Sequence, residues 1–190
     1  KDPIILFKKW FEEAKKKEVN DPNAMTLATI SQNSTLSLRV VLLKSFDEKG
    51  FVFYTNDKSK KGKSINLNPQ VALNFYWKSL CRQVRIEGSV IQASDEEADK
   101  YFNSRPEGSK IGAWASKQSS TLKTREELEN KFQYYNQKYK GKVIPRPYYW
   151  KGFKVTPHLI EFWQEMPFRL HDRVEYKKKD KNWLIKRLYP

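Results

Sequence analysis

Cysteine is nearly absent from this chain of 190 residues. Cys81 stands alone, so no internal disulfide can form and no cysteine cluster can hold a metal. Histidine is almost as scarce: His158 and His171 are the only two, and no metal site is expected from them. There are seven glycines, and none falls in a Gly-x-Gly-x-x-Gly fingerprint or a P-loop. No His-Glu-x-x-His or Gly-x-Ser-x-Gly occurs either. Dinucleotide binding, zinc hydrolysis and triad chemistry therefore have no local support. If the chain is an enzyme, a bound cofactor is expected to carry the difficult step. Apolar runs are short; Val40–Leu43 stops at Lys44, far from the roughly 20 residues that span a bilayer. The start, Lys1-Asp2-Pro3, has no signal-peptide pattern. A reducing, cytoplasmic compartment is expected, with no membrane partner.

What is abundant is positive charge and aromatic surface. Lys plus Arg number 37 against 22 acidic residues, a net charge of +15, and 14% of residues are aromatic. Large side chains at that density argue against disorder. The charge asks for an anionic partner: nucleic acid, a membrane surface or a small phosphorylated ligand. No nucleic-acid motif is present, and Lys15-Lys16-Lys17 and Lys177-Lys178-Lys179 read as solvated runs.

The hydrophobic pattern predicts a helix over 3–18, with Asp2 as cap, Pro3 in the first turn and Phe7, Trp10, Phe11 and Ala14 on one face. Strands are predicted at 24–31, 36–43 and 51–55, then a short helix through Ile65, then a hairpin of 71–77 and 82–91. Ser94-x-x-Glu97 and Thr124-x-x-Glu127 are capping boxes that open two helices. The stretch between them, Pro106 to Leu122, reads as irregular. Three strands are expected in 153–188. The expected whole is one α+β domain, 1–190: a small, mainly antiparallel barrel of strands from 24–91 and 153–188. A helical insertion occupies about 94–140, and dimerisation completes the core.

Several stretches carry chemistry. Ser59-Lys60-Lys61-Gly62-Lys63-Ser64 places lysines in the first turn of a helix, the wrong sign for its dipole. A phosphate held by free N–H groups and the lysines would remove the conflict; the alternative is a solvated lysine loop. Tyr101 and Arg105 are four apart at a helix end, with Ser109 close behind. A phenol, a guanidinium and a hydroxyl can clasp a phosphate, or Arg105 can simply bond the last carbonyls. Read as a strand, Arg169-Leu170-His171-Asp172-Arg173 puts three cation-capable side chains on one face, which favours a bound anion over a merely soluble edge. Arg39 sits among Val41 and Leu43, where an unpaired guanidinium would be costly if buried. Gln83 alternates with Val84 and Ile86; it can bond a planar ligand, while Arg85 and Glu87 can pair across strands. Gln118, Ser119 and Trp163 remain open between structural and ligand roles.

In order along the chain stand Arg39-Val-Val-Leu-Leu-Lys44, Phe53-Tyr-Thr-Asn56, Arg82-Gln-Val-Arg-Ile-Glu-Gly88 and Tyr101-Phe-x-Ser-Arg-Pro106. Ile111-Gly-Ala-Trp-Ala-Ser-Lys-Gln-Ser-Ser120, Ile160-Glu-Phe-Trp-Gln164 and Arg169-Leu-His-Asp-Arg173 follow. Together they closely resemble the pyridoxine (pyridoxamine) 5′-phosphate oxidase family, over nearly the whole chain. The resemblance implies a split β-barrel homodimer with FMN at its interface. It implies oxidation of pyridoxine and pyridoxamine 5′-phosphates to pyridoxal 5′-phosphate, by hydride transfer from C4′ to flavin N5, with O₂ as acceptor and H₂O₂ as product. Carried over by motif, Arg39, Lys44, Tyr54, Thr55, Lys60, Lys61, Gln83, Gln118, Ser119, Trp163 and Arg173 would contact FMN. Lys44, Tyr101, Arg105 and Ser109 would hold the substrate phosphate, and Arg169 and His171 would face the pyridine ring as the catalytic pair. Lys151 and Glu165 stand where the family usually has Gly, so altered local backbone is expected there. The alternative is a flavin- or haem-binding split barrel without oxidase activity, which would not need Tyr101, Arg105, Ser109, Arg169 and His171 together.

Overall fold

The computed structural model describes residues 2–190. Helix α1 (Pro3–Lys17) begins as its sequence dictates: the Asp2 carboxylate accepts from the Ile4 N–H at 2.9 Å, and Pro3 occupies the first turn. Its apolar stripe, Phe7, Phe11 and Ala14, is buried, while Trp10 packs edge-on against Phe162.

Among the described residues nine strands form one antiparallel sheet: β1 (Ala24–Ile30), β2 (Leu36–Leu42), β3 (Ser45–Asp47), β4 (Gly50–Asn56), β5 (Gln70–Trp77), β6 (Arg82–Gln92), β7 (Trp150–Gln164), β8 (Asp172–Lys179) and β9 (Asn182–Leu188). The main path runs β2-β1-β5-β6-β7-β4-β3, with β8 and β9 continuing from β7. β2 and β3 sit at opposite ends of that path, yet only Leu43 and Lys44 separate them in the chain. The sheet must therefore curl until its ends meet, which is the split barrel expected from the sequence. The Lys44 N–H bonds the Val52 carbonyl at 2.8 Å and carries the chain across. Inside the curl lies a core of Met25, Leu27, Phe51, Phe53, Leu73, Phe75, Val84, Ile86 and Phe162, capped by Phe7 and Phe11 of α1. Alternate residues of β1, β5 and β6 supply it, as a half-buried sheet requires.

The helices are α2 (Lys60–Leu67), α3 (Asp95–Asn103), α4 (Glu107–Ala115) and α5 (Arg125–Tyr139). Both capping residues read from sequence are in place, Ser94 accepting from Glu97 N–H and Thr124 from Glu127 N–H. Helix α4 corrects the expectation that Pro106–Leu122 is irregular. Gly108, Ser109 and Gly112 give it weak intrinsic propensity. Burial of Ile111 in a second cluster with Phe102, Ile144 and Trp150, together with burial of Ala115, overrides that weakness.

A second correction concerns Arg169–Arg173. Strand β8 begins only at Asp172, and Pro167–Arg169 forms a 3-10 turn in which Phe168 and Arg169 have φ of 58° and 61°. Strand alternation therefore does not order Arg169, His171 and Arg173. Lys151 and Glu165 are absent from the positive-φ residues; Lys151 lies in β7 opposite Thr55, so no altered backbone is needed at either position.

Candidate functional site

Helix α2 starts where β4 ends, and its first turn folds back tightly. A Cβ on Gly62 would meet the Asp57 carbonyl oxygen at 2.3 Å, so only glycine permits the approach. Ser59 caps the helix, its hydroxyl accepting from the Gly62 N–H at 3.2 Å. Of the three lysines, Lys60 and Lys63 face solvent, whereas Lys61 is 9% exposed. Its Nζ donates to Gln118 Oε1 at 3.0 Å, Thr55 Oγ1 at 3.2 Å and Ser59 Oγ at 3.4 Å. All three partners are neutral. Among the described residues no carboxylate pairs with Lys61. Burial, with a smaller push from Arg39, holds its ammonium below the ordinary lysine range. Arg39 spends its guanidinium on the Leu27 carbonyl, Thr29 Oγ1 and Ser37 Oγ, and burial lowers its pKa also. The wrong-sign lysines of the sequence thus resolve into one buried cation without a counter-charge.

Lys61 opens into a cavity of about 720 Å³ that Lys44, Tyr54, Thr55, Tyr101, Arg105, Ser109 and Gln118 also line. Eight of the predicted site residues therefore converge. Arg105 lies beyond the end of α3, so it does not share a helical face with Tyr101, but both reach the cavity. The buried Nη1 of Arg105 has no hydrogen-bond partner, and desolvation lowers its pKa against a smaller opposing effect of Tyr101. The Lys44 ammonium stands 5.8 Å from the Tyr101 ring. Helix α4 begins beside them with Pro106 as its cap residue and no side-chain cap bond, which leaves first-turn N–H donors free. The Tyr54, Tyr101 and Trp150 rings stack on one another, with centroids 4.3 Å (Tyr54–Tyr101), 5.0 Å (Tyr54–Trp150) and 6.0 Å (Tyr101–Trp150) apart. The Tyr54 ring lies flat against β7 because Gly152 is opposite; a Cβ there would meet it at 2.8 Å.

The other predicted residues do not line this cavity. Gln83 pairs with Trp163, and Trp163 with Arg173, across β6, β7 and β8. The His171 ring sits 4.7 Å from the Trp163 ring. These form a second constellation. Met166 N–H donates to His171 Nδ1 at 3.2 Å, so a neutral His171 carries its proton on Nε2 and can donate from there. Arg173 is fixed by Glu161 at 2.7 Å and the Tyr189 carbonyl at 3.0 Å. Arg169 is exposed. The two constellations occupy opposite ends of the 15-residue β7, roughly 40 Å of strand path apart at about 3.3 Å per residue. Lys60 and Ser119 are exposed outside both sets, Ser119 with φ of 69°.

Three residues were not predicted to belong to the site: Ser59, which touches Lys61; Trp150, which floors the cavity; and Glu161, which anchors Arg173. Glu161 also takes Arg85 at 2.9 Å, so the expected Arg85–Glu87 pair (3.1 Å) is part of a larger network. Glu161 meets Arg85 and Arg173 from distant positions, so no local pattern announced those contacts, and Ser59, two residues from Lys61, reads from sequence only as a helix cap.

Comparison with known proteins identifies the family. Residues 11–139 match the family model described as pyridoxamine 5′-phosphate oxidase, and residues 150–190 match the pyridoxine 5′-phosphate oxidase C-terminal dimerisation region. Pyridoxine/pyridoxamine 5′-phosphate oxidases of Acaryochloris marina and Granulibacter bethesdensis are 52% and 53% identical over 100% of this chain, covering 86% and 91% of their own lengths. Among solved structures, PhzG from Burkholderia lata, in complex with tetrahydrophenazine-1-carboxylic acid, superposes with a TM-score of 0.94. Its identity is 31%, covering 100% of this chain and 93% of that one. An FMN-binding protein of Nostoc punctiforme shares the fold at a TM-score of 0.76 and 15% identity, covering 96% and 95%. With both family regions matched in order, and half of all positions shared with relatives from end to end, this chain belongs to the pyridoxine/pyridoxamine 5′-phosphate oxidase family of oxidoreductases.

Proposed function

We propose that the protein is an FMN-dependent oxidase that converts pyridoxine 5′-phosphate and pyridoxamine 5′-phosphate to pyridoxal 5′-phosphate. One observation carries the reading. A single cavity holds two unneutralised cationic positions, buried Lys61 at one and Arg105, with its unpartnered Nη1, at the other. Two phosphorylated ligands, cofactor and substrate, answer both. Lys61, Thr55 and Gln118, with Arg39 behind them, fit the phosphate of FMN; Lys44, Tyr101, Arg105 and Ser109 fit that of the substrate. When bound, FMN supplies the acceptor for hydride leaving the substrate C4′ and for re-oxidation by O₂ to H₂O₂.

The chain's own residues bind and orient. The phosphate clamp provides binding energy remote from the reacting carbon, which can be used for alignment. His171 donates from Nε2, and Arg169 offers a guanidinium, toward the 4′ alcohol or amine, stabilising charge that develops there. These two groups, with Gln83, Trp163 and Arg173, reach the cavity from a second copy of the chain. Two features support a homodimer. Leu36, Leu38, Val40 and Leu42 form an exposed apolar stripe on β2, and Val40 and Leu42 also rim the cavity. Phe168, beside Arg169, is 92% exposed on its positive-φ turn. Pairing copies through these surfaces buries both and completes the site.

The test is the visible spectrum of the purified protein under anaerobic pyridoxine 5′-phosphate. Flavin bands that bleach, and return with air, are expected. Bands indifferent to that substrate but bleached by a reduced phenazine carboxylate would move the activity toward that of the PhzG relative. Flavin bands bleached by neither would point to a non-oxidase flavoprotein. Arg169→Ala should lower turnover far more than FMN content; equal loss of both refutes its assigned role.

A further inference from the structure

We propose that Trp150 is a positioning residue for Arg105, holding the guanidinium by the face of its indole so that the N–H donors stay free for the ligand phosphate. The proposal rests on reading the cavity as a site for a phosphorylated pyridine. Other partly buried arginines of this chain spend their donors on protein oxygens, Arg39 on the Leu27 carbonyl, Thr29 Oγ1 and Ser37 Oγ, and several on carboxylates. Arg146 bonds Asp99 at 2.6 Å and Asp95 at 2.9 Å; Arg173 bonds Glu161 at 2.7 Å. Each such pair consumes donors from a guanidinium that has only five. Arg105 has no ion pair among the described residues, and its buried Nη1 has no partner at all. It lies instead over two rings, 4.9 Å from the Trp150 centroid and 5.5 Å from Phe102. Cation–π attraction orients a guanidinium through its plane and uses none of its hydrogens.

The platform is itself rigid. Trp150 is 7% exposed and stacks on Tyr54 at 5.0 Å with 8° between planes, while Phe102 meets it edge-on at 5.1 Å. Its backbone N–H donates to the Pro147 carbonyl at 2.9 Å, and its backbone carbonyl accepts from Arg146 Nη1 at 2.8 Å. A guanidinium placed on such a floor is aimed before the ligand arrives, and little side-chain entropy remains to be lost on binding. Indole is the strongest of the aromatic faces for this purpose, so the residue type matters as well as its bulk.

The experiment is a double-mutant cycle on FMN-loaded protein, reading pyridoxal 5′-phosphate and unphosphorylated pyridoxal binding by isothermal titration. W150L should weaken pyridoxal 5′-phosphate binding about tenfold, and W150F about threefold, with pyridoxal affinity unchanged. In an R105L background W150L should add less than a twofold further loss, because the interaction it removes is already gone. Equal losses from W150L in both backgrounds, or equal losses for the two ligands, overturn the proposal and leave Trp150 a scaffold residue. If W150L does not fold, W150F decides: wild-type affinity for pyridoxal 5′-phosphate in that variant also overturns it. If R105L itself leaves pyridoxal 5′-phosphate binding intact, the phosphate-site reading falls, and the positioning role falls with it.

Discussion

Replacing Lys61 by Met should move stability and cofactor affinity in opposite directions. In the protein stripped of ligand, the Lys61 ammonium is buried against three neutral oxygens, with Arg39 adding repulsion. Removing it orphans none of them. Thr55 Oγ1 still donates to Gln118 Oε1 at 3.0 Å, and Ser59 Oγ still donates to the Asn56 carbonyl and accepts from Gly62. Methionine then fills a comparable volume without a desolvated charge, a gain of about 1 kcal/mol. For a chain of this length that raises the midpoint by roughly 2–4 °C. Binding responds the other way. Loss of a charge-assisted bond to phosphate costs about 1.5–3 kcal/mol, so FMN should bind roughly ten- to a hundredfold more weakly. Thermal unfolding of flavin-free protein and quenching of flavin fluorescence read the two effects separately. The pH dependence supplies a further check. The folded Lys61 pKa is depressed, so between that value and the ordinary one the unfolded chain binds more protons, and wild-type stability rises with pH. The advantage of the K61M protein should therefore be largest below the folded pKa and vanish as pH climbs to the ordinary lysine value. A flavin-free variant less stable than wild type at neutral pH, together with unaltered FMN affinity, would refute the account of Lys61 as a cation awaiting its anion.

Two other perturbations test the surroundings. Glu161, 3% exposed, bridges Arg85 and Arg173; Glu161→Gln should destabilise by about 2 kcal/mol, the arginines' partial exposure reducing the full buried-pair penalty. A drop in chemical-denaturation stability below about 0.5 kcal/mol would contradict it. Burial pushes the Tyr149 phenol up to about 12, and its hydroxyl donates to the Ala113 carbonyl at 3.1 Å. The folded state thus holds this proton after the unfolded chain has lost it, so stability falls as pH rises from about 10 toward that value, on the order of 1 kcal/mol after solvent screening. Tyr149→Phe should flatten that decline, which unfolding midpoints across the alkaline range will show.

Where a structural decision is local, the sequence announces it. Asp2 and Pro3 start α1, Ser94 and Thr124 start their helices, and alternation in β1, β5 and β6 shows which side chains enter the core. Where it depends on distant packing, the same rules mislead. Helix α4 has the composition of a loop and exists because Ile111 has Phe102, Ile144 and Trp150 to bury against. Arg169 and His171 have the spacing of a strand face, but Phe168 and Arg169 turn into left-handed backbone before β8 begins. The lysine run has the wrong sign for a helix N-terminus but does not say which lysine turns inward; Lys61 is selected by contacts to Thr55, Ser59 and Gln118, the last 57 residues away. Eight of the expected residues meet in one cavity, whereas the gathering of others around Trp163 was not announced. In one chain Arg105 lines the cavity and His171 does not, so under the proposed chemistry a pyridine ring held by Arg105 meets the His171 of a second copy. If the proposed chemistry is right, it belongs to the pair. Mixing an inactive Arg105→Leu protein with an inactive His171→Ala protein should then restore activity, because heterodimers contain one site with neither substitution.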